Sequence, residues 1–170
     1  IYDGDETFKQ TRTTAEYDSF GNPTKIRNEG DVSVTGDEKE VVSEYVKNDQ
    51  LWLIGLPSHV IGKDSVGNVI SEKWIYYDNN AQWTDIPQLG QMTKESAWLF
   101  NPLTSVSSVV SGTYGYDSYG NLISSTDSLG RSSSTQYDAD YHIFPVKVTN
   151  ALSQFVESTY DPKTGAVLMT

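Results

Sequence analysis

Cysteine is absent from this 170-residue sequence. That excludes a disulfide framework and any thiolate nucleophile or metal ligand, and it leaves the compartment open. Long apolar runs are missing too, so no stretch reads as a membrane-spanning helix and membrane insertion by this segment is not expected. Basic residues are scarce: 12 Lys and Arg stand against 23 Asp and Glu, giving a net charge of −11 and a pI near 4.4. Nucleic acid and anionic bilayers would be repelled by such a chain, and neither is an expected partner. Only two histidines occur, His59 and His142. Ser58 beside His59 is poor geometry for a triad, and no G-x-S-x-G elbow, HExxH helix or phosphate loop is present. The sequence therefore predicts neither an enzyme nor a cofactor.

What the chain has in abundance is one turn signal. Asp, two variable residues, Gly and a polar residue recur at Asp18–Gly21, Asp64–Gly67, Asp117–Gly120 and Asp127–Gly130. Asp in the first position holds the following backbone N–H groups, the next two residues make a type I turn, and Gly takes the left-handed conformation. Each motif brings one carboxylate and lacks the ligand spacing of a calcium loop, so turn capping is preferred to metal binding. Asn150-Ala151-Leu152-Ser153 follows the pattern with Ser where Gly is expected.

Tyr-Asp pairs run through the same chain at Tyr17-Asp18, Tyr77-Asp78, Tyr116-Asp117, Tyr137-Asp138 and Tyr160-Asp161, with Tyr2-Asp3 at the start. The last three are 21 and 23 residues apart. Turn signals fall between them, and the intervening segments are rich in Thr, Ser, Val and Tyr. This is β-meander spacing. It predicts an all-β chain of antiparallel hairpin repeats, with Tyr-Asp turns along one row and the Gly or Asn turns along the other. The tyrosine rings are expected to pack across to the equivalent ring of the next hairpin, with the hydroxyls on water or backbone.

Residues 79–112 break this rhythm with Pro87, Pro102, Trp83, Trp98 and a Ser-rich tail. They read as an irregular insertion or linker between divergent hairpins at 1–78 and regular hairpins at 113–170, with a short helix near Gln91–Trp98. Leu51–Ile54 reads as a buried strand, which makes Trp52 a core residue, and Trp74 is assigned to the core as well. Trp83 and Trp98 are the candidates for surface contact, stacking on a glycan included.

Tyr-Asp, two residues, Gly-Asn or Gly-Arg, and a return of about 21 residues resemble the YD repeats of RHS proteins. The phrases Leu89–Lys94, Asp117–Arg131 and Tyr141–Leu152 are similar to stretches of the RHS-containing B component of bacterial insecticidal toxin complexes. The resemblance implies a twisted strip or partial shell that encloses a toxic cargo, in a secreted or cell-surface bacterial protein. It implies neighbouring repeats of the same polypeptide and toxin-complex subunits as partners. The alternative is a carbohydrate-binding or adhesive module of a cell-surface YD-repeat protein. Asp161-Pro162-Lys163-Thr164-Gly165 resembles the autoprotease motif of some RHS toxins only loosely and reads as an ordinary turn. The chain opens on Ile1 without Met and stops in an apparent strand, so it is expected to be a piece of a larger protein that self-associates through its strand edges.

Overall fold

The computed structural model describes residues 8–101 and 106–170; the Tyr2-Asp3 pair lies outside them. The fold is all-β. Eleven strands form one antiparallel sheet in strict sequence order: β1 (Thr11–Tyr17), β2 (Pro23–Asp31), β3 (Lys39–Asn48), β4 (Leu53–Lys63), β5 (Val69–Tyr77), β6 (Met92–Asn101), β7 (Val106–Tyr116), β8 (Leu122–Thr126), β9 (Ser132–Tyr137), β10 (Pro145–Thr149) and β11 (Phe155–Glu157). A small hairpin, β12 (Thr159–Tyr160) and β13 (Val167–Met169), follows. Each strand pairs with its chain neighbours, β1 does not meet β11, and the sheet stays open as a strip.

The meander follows from turn chemistry recurring every strand length, because short loops allow only antiparallel neighbours. Alternate turns therefore fall on opposite rims. One rim carries the turns after Tyr17, Asn48, Tyr77, Tyr116, Tyr137 and Tyr160. The other carries those at 32–38, 64–68, 127–131 and 150–154.

A one-layer sheet buries little. Among the described residues the core is Val46, Ile75 and Tyr77, with Leu56 and Met92 packed against them. Elsewhere the strip is held by ladder hydrogen bonds and cross-strand pairs. Hydroxyls meet across neighbouring strands at Ser96–Ser111 (2.8 Å), Ser125–Ser133 (2.9 Å) and Thr126–Ser132 (2.8 Å), contacts individually worth about 0.2–1 kcal/mol.

Three expectations need correction. Residues 92–101 form strand β6, not a helix; it pairs with β5 over Met92–Trp98 and with β7 over Lys94–Asn101. Two partner strands outweigh the local helix signal. Leu51 and Trp52 stand in a turn, not a buried strand. Trp52 is 70% exposed and left-handed, with φ 56°, because Asn48 ends β3 and its Oδ1 accepts the Leu51 N–H. Trp74 is half-buried rather than core, since only one thin layer stands behind it.

Candidate functional site

The recurring unit is built around its aspartate. Asp18 Oδ1 accepts the N–H groups of Phe20 and Asn22, both at 2.9 Å, and Oδ2 accepts Asn22 Nδ2 at 2.9 Å. The Asp18 N–H donates to the Asn22 carbonyl, and the Gly21 N–H to the Asp18 carbonyl. Asp64 and Asp117 repeat the clamp with Asn68 and Asn121; Asp127 repeats it with the Arg131 guanidinium. Gly21, Gly67, Gly120 and Gly130 have φ between 76° and 91°, the region that favours glycine. Asn150 makes the same turn, and Ser153 occupies the glycine position at φ 62°.

Longer loops keep the clamp and change only what it holds. Asp138 Oδ1 accepts the Ile143 and Phe144 N–H groups and Oδ2 the Tyr141 N–H. Asp78 closes the loop at 79–91 by accepting four N–H groups, from Gln88, Leu89, Gly90 and Gln91. Asp161 accepts the Lys163 N–H. Lost hydration pushes the Asp138 carboxyl up, but donation from Phe144, Tyr141, Ile143 and His142 wins and lowers it to about 2. At Asp78 the same opposition ends below the usual carboxylate value. The side-chain amides of Asn22, Asn68 and Asn121 lower Asp18, Asp64 and Asp117.

The tyrosines form a relay. Tyr17, Tyr45, Tyr77, Tyr116 and Tyr137 stand opposite Pro23, Pro57, Met92, Leu122 and Pro145. The carbonyl of each of those partners accepts a hydroxyl from the next tyrosine of the relay: Tyr45 to Pro23 (3.2 Å), Tyr77 to Pro57 (2.9 Å), Tyr116 to Met92 (3.0 Å), Tyr137 to Leu122 (3.4 Å) and Tyr160 to Pro145 (3.2 Å). A register shift lies beside every one of these opposed pairs. Such bulges bend the strand and let the ring lie across its neighbour. Burial pushes the Tyr77 phenol up to about 12, so it remains a donor. The expected ring-on-ring ladder of these tyrosines is thus replaced, in the described contacts, by hydroxyl-to-backbone links. Tyr45 belongs to the relay although no aspartate follows it, which is why the Tyr-Asp signal missed it.

Aromatic stacking is found in the turn rim instead. Tyr119 stacks on His142 at 3.8 Å, Phe20 meets Trp52 edge-on at 6.3 Å, and Phe144 stacks on Tyr160 at 5.1 Å. Phe20 and Tyr119 sit two residues after the clamp aspartates, whereas Trp52 and His142 are left-handed residues of the next turn. Amides stitch the same turns: Asn22 Nδ2 donates to the Ile54 carbonyl and Asn121 Nδ2 to the His142 carbonyl, both at 2.6 Å, and Asn48 Nδ2 to the Pro87 carbonyl at 2.8 Å.

The loop at 79–91 folds back as a strap. Pro87 is fully buried, and Trp83 lies against the His59 ring, 4.8 Å between centroids. Trp83 is half-buried there; Trp98 is half-buried within β6, in register with Glu72 and Val109.

A hairpin, not a domain, is the unit that repeats, and the protein belongs to the class of β-hairpin repeat proteins. The RHS repeat family model matches residues 116–154, from the end of β7 to the turn after β10. The RHS repeat pattern is thus recognised within residues 116–154. In three dimensions it is similar to the crystal structure of TcdB2-TccC3-Cdc42, with a TM-score of 0.46 and 12% identity over 92% of this chain and 13% of that one. It is also similar to the crystal structure of TcdB2-TccC3, with a TM-score of 0.33 and 12% identity over 91% and 10%. The chain thus spans only a small part of the length of these structures. No curated protein matches it in sequence.

Proposed function

We propose that this chain is a non-catalytic structural segment of a large secreted bacterial RHS-repeat toxin, contributing β-strip to a shell that encloses a toxic cargo. The observation that carries this reading is the tyrosine relay, which couples successive hairpins in one direction and keeps the same geometry through turns of different length. Such coupling extends a wall by repetition, since each unit is stabilised by its neighbours. The clamp aspartates and relay tyrosines have a structural role in it. Residues 1–78 and 113–170 are its two runs of hairpins, joined through 79–112. Its partners are the neighbouring repeats of the same polypeptide and the other subunits of a toxin complex, outside the bacterial cell.

The test is the gene on either side, followed by limited proteolysis of the polypeptide it encodes. A variable downstream segment that resists protease until the β-strip is denatured supports the reading. A wall or membrane anchor in that place, with no protected segment, overturns it in favour of a surface adhesion module.

A further inference from the structure

The relay has one more acceptor position than it has donors. In the Tyr-Asp turns the Asp N–H donates to the carbonyl of the residue just before the relay acceptor: Asp18 to Asn22, Asp78 to Gln91, Asp117 to Asn121 and Asp138 to Phe144. Asp161 does the same to Ala166, and Tyr160 stands opposite Val167 beside a register shift. Val167 therefore holds a sixth acceptor position. The five relay hydroxyls all go to earlier carbonyls, and among the described residues β13 has β12 alone as its neighbour.

The opposite margin of the strip shows the converse. Tyr17 stands opposite Pro23 like the other relay tyrosines, but its ring is 63% exposed and its hydroxyl donates to no described residue. β1 is the edge strand of the eleven-stranded sheet and is exposed along its length. One margin thus carries a donor without an acceptor, and the other an acceptor without a donor.

Every internal junction of the relay has the same register. The residue two after the acceptor stands opposite the residue three before the donating tyrosine: Lys25 and Val42, His59 and Trp74, Lys94 and Thr113, Ser124 and Ser134, Lys147 and Glu157. At the two open positions this register sets Met169 opposite Thr14, and both are exposed. We propose that a second copy of this chain docks head to tail, with its β1 antiparallel to β13 in the Thr14–Met169 register and its Tyr17 hydroxyl on the Val167 carbonyl. Open strand edges recruit other strands without much choice; here the relay selects which edge meets which. The two surfaces differ, so each added copy leaves its own β13 free for the next. This contact follows from the relay alone and holds with or without an enclosed cargo.

The chain has no cysteine, so introduced thiols report contacts between copies. Chains carrying Thr14→Cys and chains carrying Met169→Cys are mixed in equal amounts at about 0.15 M salt, where like charges are screened beyond about 8 Å, and oxidised with glutathione disulfide. The mixed disulfide is expected to dominate over both symmetric ones, because opposed residues of paired strands lie about 4.5–5.5 Å apart at Cα, within disulfide reach. Tyr17→Phe in the Thr14→Cys chain should cut the mixed yield about fivefold, the worth of one hydrogen bond. Ala15→Cys in place of Thr14→Cys points to the other face of β1 and should return the yield to background. Thr14, Ala15, Tyr17 and Met169 are all exposed, so the fold is kept in each variant. A mixed disulfide no more abundant than the symmetric ones overturns the proposal, and so does equal linkage through Ala15 or an undiminished yield in Tyr17→Phe.

Discussion

The Tyr116 hydroxyl donates to the Met92 carbonyl at 3.0 Å, and Met92 is the residue standing opposite Tyr77. One tyrosine thereby fastens its own hairpin to the position defined by the tyrosine before it. Tyr116→Phe removes that bond alone and is expected to cost about 1 kcal/mol. Tyr116→Ala also removes the ring lying across β6 and should cost about 2 kcal/mol or more. Urea unfolding of the two variants checks the order.

Ser153 holds a left-handed conformation that its equivalents assign to glycine. Ser153→Gly is expected to stabilise the chain by about 1 kcal/mol, and Gly120→Ala to destabilise it by a similar amount. The added Cβ at Gly120 approaches only Gln91 Nε2, at 3.7 Å, so its penalty is backbone strain and not a clash. Thermal midpoints of both variants, moving in opposite directions, are the measurement.

The clamp aspartates set the acid limit. Their carboxyls lie below the ordinary value when folded, so the folded chain binds fewer protons than the unfolded chain. Their stabilisation is complete above the unfolded value of about 4 and is lost as pH falls through the folded values. Asp138 is the last to go, at about 2. Urea midpoints should be flat with respect to these groups above about pH 5 and should fall steadily below about pH 4. Asp138→Asn should flatten the lowest part of that decline.

Asn68 and Asn121 make the same amide bond to their own aspartates, but Asn121 Nδ2 also reaches the His142 carbonyl of the next turn. Asn121→Ala should therefore cost about 1 kcal/mol more than Asn68→Ala. Equal losses in parallel urea titrations would show that the stitch between turns contributes nothing.

The turns were legible in the sequence because their chemistry is local. Asp18 finds every partner of its clamp within four residues, and the Gly21 conformation announces itself by residue type. The relay was not legible, since a tyrosine hydroxyl that seeks a carbonyl meets a group every residue carries; its acceptors are Pro23, Pro57, Met92, Leu122 and Pro145. Trp52 was misread because Leu51–Ile54 is apolar enough for a strand, whereas Asn48 had already ended β3. The strap depends on Pro87 and Trp83 finding Asn48 and His59, contacts between residues far apart in the chain that no period reveals.

All five relay hydroxyls point back toward the N-terminus. A nascent chain leaving the ribosome thus presents each tyrosine to an acceptor that has already been synthesised. The wall can be laid course upon course as translation proceeds, with no rung waiting for sequence still to come.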